Sequence, residues 1–356
     1  MPLEEISLKS NIKNYKVFFA ENSGFLDELL EMPDTFFIID NKVWELYGNE
    51  LLEDIAGKDH IVLPINEENK TIKTAEFIYG QIIGRSAKKN INIISIGGGI
   101  TQDVTGFAAS TLYRGVNWIF VPTTLLAQAD SCIGAKTSLN FKHFKNLIGT
   151  FFPPAKIYIY TPFLKTQSQV DYFSGVGEIA KLHLMGGRKF SNDLISSTEA
   201  INKKDEKFLL KIIKNSLLIK KSYIEEDEFD KGHRNLLNFG HCFGHAIEAA
   251  TDFEVPHGQA VVLGIILAGR VALSRGLLKE ADEKFIRENI LLPFLKIKIN
   301  EIKFDLDKTV EAFSRDKKRV GSNLPLVMMI DDFKMIIVND LTVSEARRTL
   351  NYIKDI

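Results

Sequence analysis

The sequence predicts two domains: an α/β domain with a mostly parallel sheet in residues 1–162, and a mainly α-helical domain in residues 163–356. In the first half, short apolar runs alternate with segments of helix length, whereas helical spacing of apolar residues prevails in the second. A chain of 356 residues also exceeds the usual size of one core. With 45% hydrophobic and 26% charged residues, the composition is that of an ordinary soluble globular protein.

Apolar, β-branched and aromatic runs predict the strands of the first domain. The helix-length segments Lys70–Lys88 and Gln102–Leu112 lie between several of these runs. Continuous hydrophobic strands separated by helices are typical of a Rossmann-like parallel sheet covered on both faces. Such sheets bind ligands at the carboxyl ends of their strands. The predicted strands are Tyr15–Ala20, Phe36–Asp40, His60–Ile65, Ile91–Ile96, Trp118–Val121 and Lys156–Tyr160.

Two strand ends in this domain carry residues suited to a dinucleotide. Three glycines at 97–99 follow the strand Ile91–Ile96 and precede a helix that contains Asp103. Backbone amides there could approach a pyrophosphate, whose charge a helix N-terminus favours; a plain tight turn is the alternative. Asp40 ends another strand, where its carboxylate could accept hydrogen bonds from ribose hydroxyls or cap the next helix.

A polar segment follows the last central strand. Asp130, Lys136 and Lys145 are separated by small residues and amides. A run of charges usually marks a solvated helix face. This composition, in what we predict to be a Gly-containing loop, instead favours a pocket for a polyhydroxylated, anionic ligand.

The second half predicts helices and one short strand pair. The segment Thr161 to Ser174 lacks clear periodicity and is the predicted crossing between the domains. Apolar residues on one face predict an amphipathic helix over Lys207–Lys221. The end of the chain predicts strands at Leu326–Ile330 and Met335–Val338, then a helix that begins at Thr342, with Glu345 completing a capping-box pattern.

Three of the seven histidines, His241, His245 and His257, lie within one short stretch. On a helix, His241 and His245 would share a face. Neutral imidazoles suit a borderline metal such as zinc, which commonly also takes a carboxylate from elsewhere in the fold. The alternative is a set of hydrogen-bonded core or surface histidines. The nearby Arg234 and Asn238 favour the metal site.

Glu178 is the candidate for the missing carboxylate. It precedes Lys181 by three residues on a predicted helix. The alternative is an ordinary surface ion pair between the two, worth a few tenths of a kcal/mol.

Charge and cysteine usage exclude several functional classes. Lys plus Arg (45) nearly cancel Asp plus Glu (46), so no global basic field indicates nucleic acid or an anionic membrane as a partner. Cys132 and Cys242 form no CxxC motif and are predicted to be reduced core residues. The first residues do not resemble a signal peptide, and no uncharged run is long enough for a membrane span, so the predicted location is the cytoplasm.

Taken together, the motifs resemble those of the dehydroquinate synthase family of sugar-phosphate cyclases, whose distant relatives are metal-dependent polyol dehydrogenases. The resemblance covers roughly residues 35–330, and the order and spacing of several separate motifs agree. These motifs are Gly97–Gly99 with Asp103 and Gly106-Phe107, Pro122–Gln128 with Asp130, Lys136-Thr137, Lys145-Asn146, Glu178 with Lys181, and the histidine stretch.

The resemblance implies a dehydroquinate synthase-like fold with NAD and a divalent metal, zinc or cobalt. The implied metal ligands are Glu178, His241 and His257. The implied catalytic residues are Lys136, Lys181, Lys220, Arg234, Asn238 and His245, the last as a phosphate contact. The implied substrate contacts are Asp130, Lys145, Asn146, Arg114 and one of Lys317 or Lys318. The implied NAD contacts are Asp40, Glu67, Lys70, Gly98, Gly99, Asp103, Thr123 and Thr124.

The activity implied by the resemblance is conversion of 3-deoxy-D-arabino-heptulosonate 7-phosphate to 3-dehydroquinate and phosphate, a step of the shikimate pathway. It proceeds by transient NAD oxidation, phosphate elimination, reduction and intramolecular aldol closure. Arg114 resembles an arm lent to the neighbouring subunit, which implies a homodimer. The alternatives are a cyclase of the 2-epi-5-epi-valiolone or 2-deoxy-scyllo-inosose synthase type, a catalytically silent paralogue, and a simple polyol dehydrogenase.

The chain departs from the family pattern at several positions. Ala135, Ser138 and Phe141 stand where the family usually has Gly, Gly and His, and Leu182-His183 replaces Tyr-Gly. Gln259 replaces a Glu, which we expect to remove a carboxylate beside a proposed zinc ligand. These changes leave the implied ligands intact but could alter the choice of substrate.

Overall fold

The computed structural model describes residues 3–85, 88–142, 144–299, 302, 304–314 and 324–356. The chain forms two compact units: Met1–Gln167 with Ile224–Phe229, and Ser168–Tyr223 with Asp230–Ile356. The predicted boundary after residue 162 stays a prediction, although the first unit continues only a few residues beyond it.

The first unit is built on a seven-stranded sheet in the order β1-β2-β9-β6-β5-β3-β4. β1 pairs with β2 antiparallel, and every other pairing in this sheet is parallel. β7 and β8 form a separate antiparallel hairpin. The strands are β1 Glu4–Leu8, β2 Tyr15–Phe19, β3 Thr35–Asp40, β4 His60–Leu63, β5 Asn92–Gly97, β6 Asn117–Pro122, β7 Lys136–Phe141, β8 Phe144–Phe151 and β9 Lys156–Ile159.

Helices cover the central strands, which explains why those strands are almost entirely apolar. Phe37 and Ile39 of β3 and Ile94 and Ile96 of β5 are fully buried in one core with Val121 of β6. The helices of this unit are α1 Phe25–Glu31, α2 Asn41–Tyr47, α3 Ile72–Gly84 and α4 Gly99–Thr111. Short 3₁₀ turns occur at Glu53–Gly57, Glu67–Asn69, Leu112–Arg114 and Thr161–Lys165, and a π turn at Ala127–Ser131.

The second unit is mainly helical. Its helices are α5 Gln169–Met185, α6 Arg188–Ser196, α7 Thr198–Asn202, α8 Glu206–Glu226 (whose last residues belong to the first unit), α9 His241–Ala250, α10 His257–Ser274, α11 Glu280–Ile286, α12 Leu306–Ser314 and α13 Val343–Leu350. The predicted strand pair is confirmed as β10 Leu324–Ile330 and β11 Lys334–Leu341. Shorter turns lie at His233–Asn238, Arg287–Leu291, Leu292–Phe294 and Asn351–Asp355.

α10 is the central helix of the second unit. It packs against α9, α5 and β10. By length and composition it could cross a membrane, with a mean hydropathy of 1.4, but 72% of it is buried inside the protein. It therefore has the character of a core helix.

The predicted fold class is confirmed: a mostly parallel sheet in an N-terminal α/β unit, followed by a mainly helical remainder. The capping pattern before α13 is half formed. The Thr342 hydroxyl accepts a hydrogen bond from the Glu345 N–H, but the Glu345 carboxylate pairs with Arg275 instead of reaching back. Cys132 is buried, Cys242 is half-buried, and neither forms a disulfide, as predicted.

The interpretation of the Asp130 to Lys145 segment as a loop is wrong. Asp130 lies in the π turn, whereas Lys136 begins β7 and Lys145 lies on β8. The amides and lysines that suggested a loop lie on a hairpin whose second strand is largely exposed, so its polar residues remain solvated while its backbone pairs.

Candidate active site

Three predicted metal ligands converge in the second unit. Glu178 lies in the middle of α5, while His241 and His257 are the first residues of α9 and α10. The Oε1 atom of Glu178 lies 3.2 Å from Nε2 of His257 and 3.6 Å from Nε2 of His241. One carboxylate oxygen and two imidazole nitrogens therefore face a common point.

Close contact between two helix backbones brings these residues together. A Cβ on Gly177 would lie 2.2 Å from the carbonyl oxygen of Gly258, and a Cβ on Gly258 would lie 1.8 Å from that of Ser174. Only glycine permits this approach of α5 to α10. Since Glu178 follows Gly177 and His257 precedes Gly258, the contact places the carboxylate beside the imidazole.

Glu178 is a fully buried, charged carboxylate. Its Oε2 forms an ion pair with the Lys181 ammonium, also buried, yet neither oxygen accepts a hydrogen bond from the described residues. Burial acts to raise the pKa of Glu178, but the charges of Lys181, His257 and His241 outweigh it and hold that pKa well below its usual value. The predicted alternative of a surface ion pair is therefore excluded, because both side chains are at most 4% exposed.

His241 is held as a neutral imidazole. Burial, aided by Lys181 and the neighbouring histidines, lowers the pKa of His241 well below its usual value despite the opposing charge of Glu178. Its Nδ1 lies 3.1 Å from the carbonyl oxygen of Phe239. An N–H donated there leaves the lone pair on Nε2, the nitrogen that faces Glu178.

His257 lies between two carboxylates. Its Nε2 faces Glu178, and its Nδ1 lies 3.2 Å from an oxygen of Glu248. Burial alone would lower the pKa of His257, but the adjacent carboxylates of Glu178 and Glu248 outweigh it and raise that pKa to about 10. The position attracts positive charge, either a proton or a metal ion.

This donor set fits a divalent cation such as zinc. It offers one ionised carboxylate and two imidazole nitrogens, the combination found in many catalytic zinc sites. The carboxylate oxygens are buried and accept no hydrogen bond from the described part of the chain, which a cation would remedy.

His245 lies beside this trio without joining it. Its ring packs edge-on against His241 with the centroids 5.2 Å apart, and its centroid lies 6.0 Å from that of His257. His245 is exposed, so it remains accessible to a ligand. Its implied phosphate contact stays a prediction.

The other implied catalytic residues of this unit are mostly buried cations. Lys181, Lys220 and Arg234 are at most 8% exposed. Asn238 ends the 3₁₀ turn that contains Arg234, and its side-chain amide donates to the carbonyl oxygen of Asn235 (2.9 Å). Their contacts with substrate stay predictions.

In the first unit, most of the implied NAD contacts gather at the carboxyl edge of the sheet. β3, β5 and β6 are neighbours in register, so they end side by side. Gly98 caps α4 after β5, and the Thr123 N–H after β6 donates to the carbonyl oxygen of Gly97 (2.9 Å). This edge carries Asp40, Gly98, Gly99, Thr123 and Thr124.

Asp40 serves as a helix cap. Its Oδ1 accepts a hydrogen bond from the Lys42 N–H (2.9 Å) at the start of α2, which is the alternative that the sequence left open. Burial raises the pKa of Asp40. The implied contact with a ribose stays a prediction.

A partly buried polar network joins α4 to the hairpin. The ammonium of Lys70 lies 2.5 Å from Oδ2 of Asp103 and 2.5 Å from Oδ1 of Asn146. The backbone N–H and the hydroxyl of Ser138 both donate to Asp103, at 3.0 and 3.1 Å. Burial raises the pKa of Asp103, against the lowering effect of Lys70 and Ser138. Three residues implied by the resemblance are thus in direct contact.

Of the remaining implied residues, Glu67 and Arg114 are described by the structure, and two lysines are not. Glu67 begins a 3₁₀ turn and accepts hydrogen bonds from the Asn140 amide through its carbonyl oxygen (3.0 Å) and Oε1 (2.8 Å). Arg114 lies in a turn after α4 with a left-handed backbone, φ 63°. Lys317 and Lys318 lie outside the described residues.

Gln259, which stands where the family usually has Glu, follows the proposed ligand His257 by two residues and binds backbone groups. Its amide nitrogen donates to the carbonyl oxygens of Phe173 (2.8 Å) and Phe294 (3.1 Å), and its oxygen accepts from the Lys296 N–H (2.7 Å). The side chain is therefore fully engaged by backbone groups. A glutamine suits this position because a carboxylate cannot donate to carbonyls.

Sequence reasoning missed two polar residues of these sites, Glu248 and Ser138. Glu248 follows His241 by seven residues and His245 by three, a helical spacing that places all three on one face of α9. That spacing was a readable signal. Nothing in the local sequence signals that the Ser138 hydroxyl reaches Asp103.

Two family models match most of the chain. The model of the 3-dehydroquinate synthase N-terminal domain matches residues 60–174, and that of the C-terminal domain matches residues 175–319. The chain belongs to the 3-dehydroquinate synthase family. It is therefore related to the sugar-phosphate cyclases, as the resemblance implied, and to enzymes of the cyclase type.

Two bacterial relatives support membership of the 3-dehydroquinate synthase family. The 3-dehydroquinate synthase of Campylobacter concisus is 34% identical over 98% of this chain and 99% of the relative. That of Clostridium tetani is 38% identical over 75% and 73% of the two chains.

Two solved cyclases share the fold. A 2-deoxy-scyllo-inosose synthase complexed with carbaglucose-6-phosphate, NAD⁺ and Co²⁺ has a TM-score of 0.86 at 23% identity, over 99% of both chains. The 2-epi-5-epi-valiolone synthase of Streptomyces hygroscopicus subsp. jinggangensis, with NAD⁺ and Zn²⁺ bound, has a TM-score of 0.80 at 23% identity, over 98% and 99%.

Proposed function

We propose that this chain is a 3-dehydroquinate synthase that converts 3-deoxy-D-arabino-heptulosonate 7-phosphate to 3-dehydroquinate and phosphate. The observation that carries the proposal is the buried, ionised Glu178 with its Oε1 facing the Nε2 atoms of His241 and His257. Family membership supports the same activity, because the relatives that are 30–38% identical bear that name.

The proposed cofactors are NAD and one divalent metal ion, zinc or cobalt. Glu178, His241 and His257 would hold the ion, and the carboxyl edge of β3, β5 and β6 would hold NAD. A metal held there would supply Lewis acidity at a substrate hydroxyl, and bound NAD would supply reversible hydride transfer. Because NAD is regenerated, the overall reaction consumes only the sugar phosphate.

The residues of the chain would orient the substrate and neutralise its charge. Lys181, Lys220 and Arg234 are buried cations in the unit that holds the metal cluster, and buried cations bind carboxylate and phosphate strongly. In the first unit, Lys136 and Lys145 would add contacts to the phosphate and hydroxyls. Fixed positive groups of this kind accelerate reaction mainly by positioning.

The proposal includes the role of the protein in the cell. We propose a cytoplasmic homodimer in the shikimate pathway. The two cysteines, neither of which is in a disulfide, support a reducing compartment. The intact set of Glu178, His241 and His257 supports an enzyme rather than a catalytically silent paralogue.

A cyclase for a substrate without a carboxylate is the second candidate. It is favoured by the fold similarity to the inosose and valiolone synthases. The combination of Arg234, Lys220 and Asn238 favours a carboxylate-bearing substrate instead, since the other sugar phosphates have no group that needs all three.

One assay separates these candidates. Phosphate release is measured with 3-deoxy-D-arabino-heptulosonate 7-phosphate, sedoheptulose 7-phosphate and glucose 6-phosphate, each with NAD and Zn²⁺ supplied. We expect release with the first alone. Release only with one of the others would assign a specialised cyclase, and net NADH accumulation would indicate a polyol dehydrogenase. No turnover by protein that holds metal and NAD would indicate a silent paralogue.

A further inference from the structure

Glu248 contacts Nδ1 of His257, the ring nitrogen that does not face Glu178. It lies on α9, is 9% exposed, and its Oε1 and Oε2 lie 3.3 and 3.2 Å from Nδ1 of His257. The other ring nitrogen, Nε2, lies 3.2 Å from Oε1 of Glu178. His257 is thus the link between two carboxylates, only one of which belongs to the proposed ligand trio.

We propose that Glu248 is a positioning residue, which fixes the ring orientation and tautomer of His257 for metal binding. This inference rests on the metal site of the proposed function. A neutral imidazole carries one N–H and one lone pair. When Nδ1–H donates to Glu248, the lone pair is on Nε2, which is the atom that faces Glu178. Carboxylate partners of this kind also increase the basicity of a ligating histidine.

The two histidine ligands are supported by different groups. His241 has a neutral backbone carbonyl, that of Phe239, 3.1 Å from Nδ1, and no side-chain substitution removes it. His257 instead depends on a charged side chain from another helix. The affinity for metal is therefore sensitive to mutation at Glu248 in a way that has no counterpart at His241.

The geometry offers Glu248 a second role, as a metal ligand. Atoms of His245, Glu248 and His257 also lie within 4.8 Å of one another and could hold a second cation. The positioning role is favoured because both oxygens of Glu248 lie within 3.3 Å of the same ring nitrogen of His257. The two roles predict different metal stoichiometries.

The experiment measures the affinity of full-length protein for Zn²⁺ and Co²⁺ by competition with a chelator, together with metal stoichiometry and the visible spectrum of the Co²⁺ form. The variants are Glu248→Ala, Glu248→Gln and, as a test for a second ion, His245→Ala. Glu254→Gln is the matched control, since Glu254 is exposed and close in sequence to His257. Circular dichroism and thermal unfolding of the metal-free proteins identify any variant that does not fold.

Glu248→Ala should weaken metal binding about 10–100-fold and shift the Co²⁺ spectrum, because His257 is then free to reorient. Glu248→Gln should lose less, since its amide oxygen still accepts the Nδ1 hydrogen. Glu254→Gln should match the wild type, and each protein should hold one ion.

Three results would contradict the inference. Affinity of folded Glu248→Ala within about twofold of wild type would show that Glu248 does not support His257. Loss of affinity in Glu248→Gln as large as in Glu248→Ala would also count against the hydrogen bond. Two ions in the wild type, reduced to one by Glu248→Ala and by His245→Ala, would make Glu248 a ligand of a second site. If the wild type binds no metal, the proposed function itself fails.

Discussion

A buried negative charge determines the character of the candidate metal site at the scale of single residues. An unpaired carboxylate in a protein interior costs several kcal/mol, and a single buried ion pair often fails to recover that cost. Glu178 has one ammonium partner, Lys181, and no hydrogen bond from the described residues. Such an arrangement is poor for stability and good for binding a cation. This contrast is why we interpret the cluster as functional.

His183 is a second buried titratable residue, and it affects the stability of the fold. It stands where the family usually has Gly. Its Nδ1 lies 2.9 Å from the carbonyl oxygen of Ile179, while its Nε2 is buried without a partner among the described residues. Burial lowers the pKa of His183 to about 4. Folding therefore favours the neutral ring.

The direction of the resulting pH dependence follows from that shift. The folded pKa lies below the unfolded value of about 6.5, so the stabilisation is present above pH 6.5 and is lost as the pH falls towards 4. Relative to His183→Leu, the wild type should lose about 2–3 kcal/mol of unfolding free energy between pH 7.5 and 4.5. Urea unfolding of both metal-free proteins across that range measures it. A difference that does not change with pH would contradict a buried neutral imidazole.

At the scale of helices and strands, the candidate metal site requires a close contact between two helices at their glycines. The backbones of α5 and α10 touch at Gly177 and Gly258, and that contact sets the separation of Glu178 from His257. The same helix α10 contains Gly269, where a Cβ would meet Glu283 at an ordinary 3.8 Å. One helix thus offers both a strict and a permissive glycine.

Substitution of these two glycines should therefore have opposite effects. Gly258→Ala forces a Cβ against the Ser174 carbonyl and should cost about 1–3 kcal/mol of unfolding free energy. The variant should also bind metal more weakly. Gly269→Ala should be neutral or stabilise by about 0.5–1 kcal/mol, because alanine is the better helix former. Chemical unfolding and metal titration of both variants make the comparison. Equal stability of the two would show that the helix contact is looser than described.

The elements that could be predicted from sequence are those with a strong local pattern. The buried strands β3, β5 and β6 are short, mainly apolar runs rich in β-branched and aromatic residues, which favours strands over helices. β1 begins with two exposed glutamates and is short, so its pairing with β2 has no local signal. The β7–β8 hairpin carries lysines and amides, and these polar residues suggested a loop.

The candidate site was predictable for a different reason. The spacing of His241, His245 and His257 indicated a metal, but only family resemblance separated His245 from the ligands. The contact of Glu248 with His257 depends on how α9 packs beside α10, which no spacing within α9 specifies. Likewise, the hydrogen bonds of Gln259 depend on carbonyls from distant positions in the chain, so the local sequence does not reveal them.

At the scale of the whole molecule, each compact unit supplies one part of the proposed chemistry. The first unit presents the carboxyl edge of a parallel sheet, where dinucleotides bind in such folds. The second unit presents the proposed metal ligands Glu178, His241 and His257. A third contribution, from the neighbouring subunit, is implied for Arg114.

The proposed role of Arg114 can be tested by mixing subunits. Arg114→Ala and His257→Ala homodimers should each be nearly inactive. In a mixed dimer, the subunit with intact His257 receives Arg114 from its partner, so one site is complete. Unfolding and refolding an equal mixture should restore about a quarter of wild-type turnover, since half of the dimers are mixed and each has one working site.

A mixture of each variant with itself, treated identically, is the control for that experiment. If the mixed sample shows no more activity than the two separate variants, Arg114 acts within its own subunit or not at all. A single monomeric species in sedimentation would also contradict the proposed homodimer.

The central claim is that Glu178, His241 and His257 hold one divalent ion, and metal analysis of purified variants tests it most directly. After dialysis against Zn²⁺-free buffer, the wild type should retain about one zinc per chain, as catalytic zinc proteins with three protein ligands do. His257→Ala should retain almost none and lose turnover while remaining folded. Arg234→Ala, the matched control among the buried polar residues of the same unit, should retain its zinc while binding substrate less well. Full zinc occupancy in folded His257→Ala would contradict the assignment.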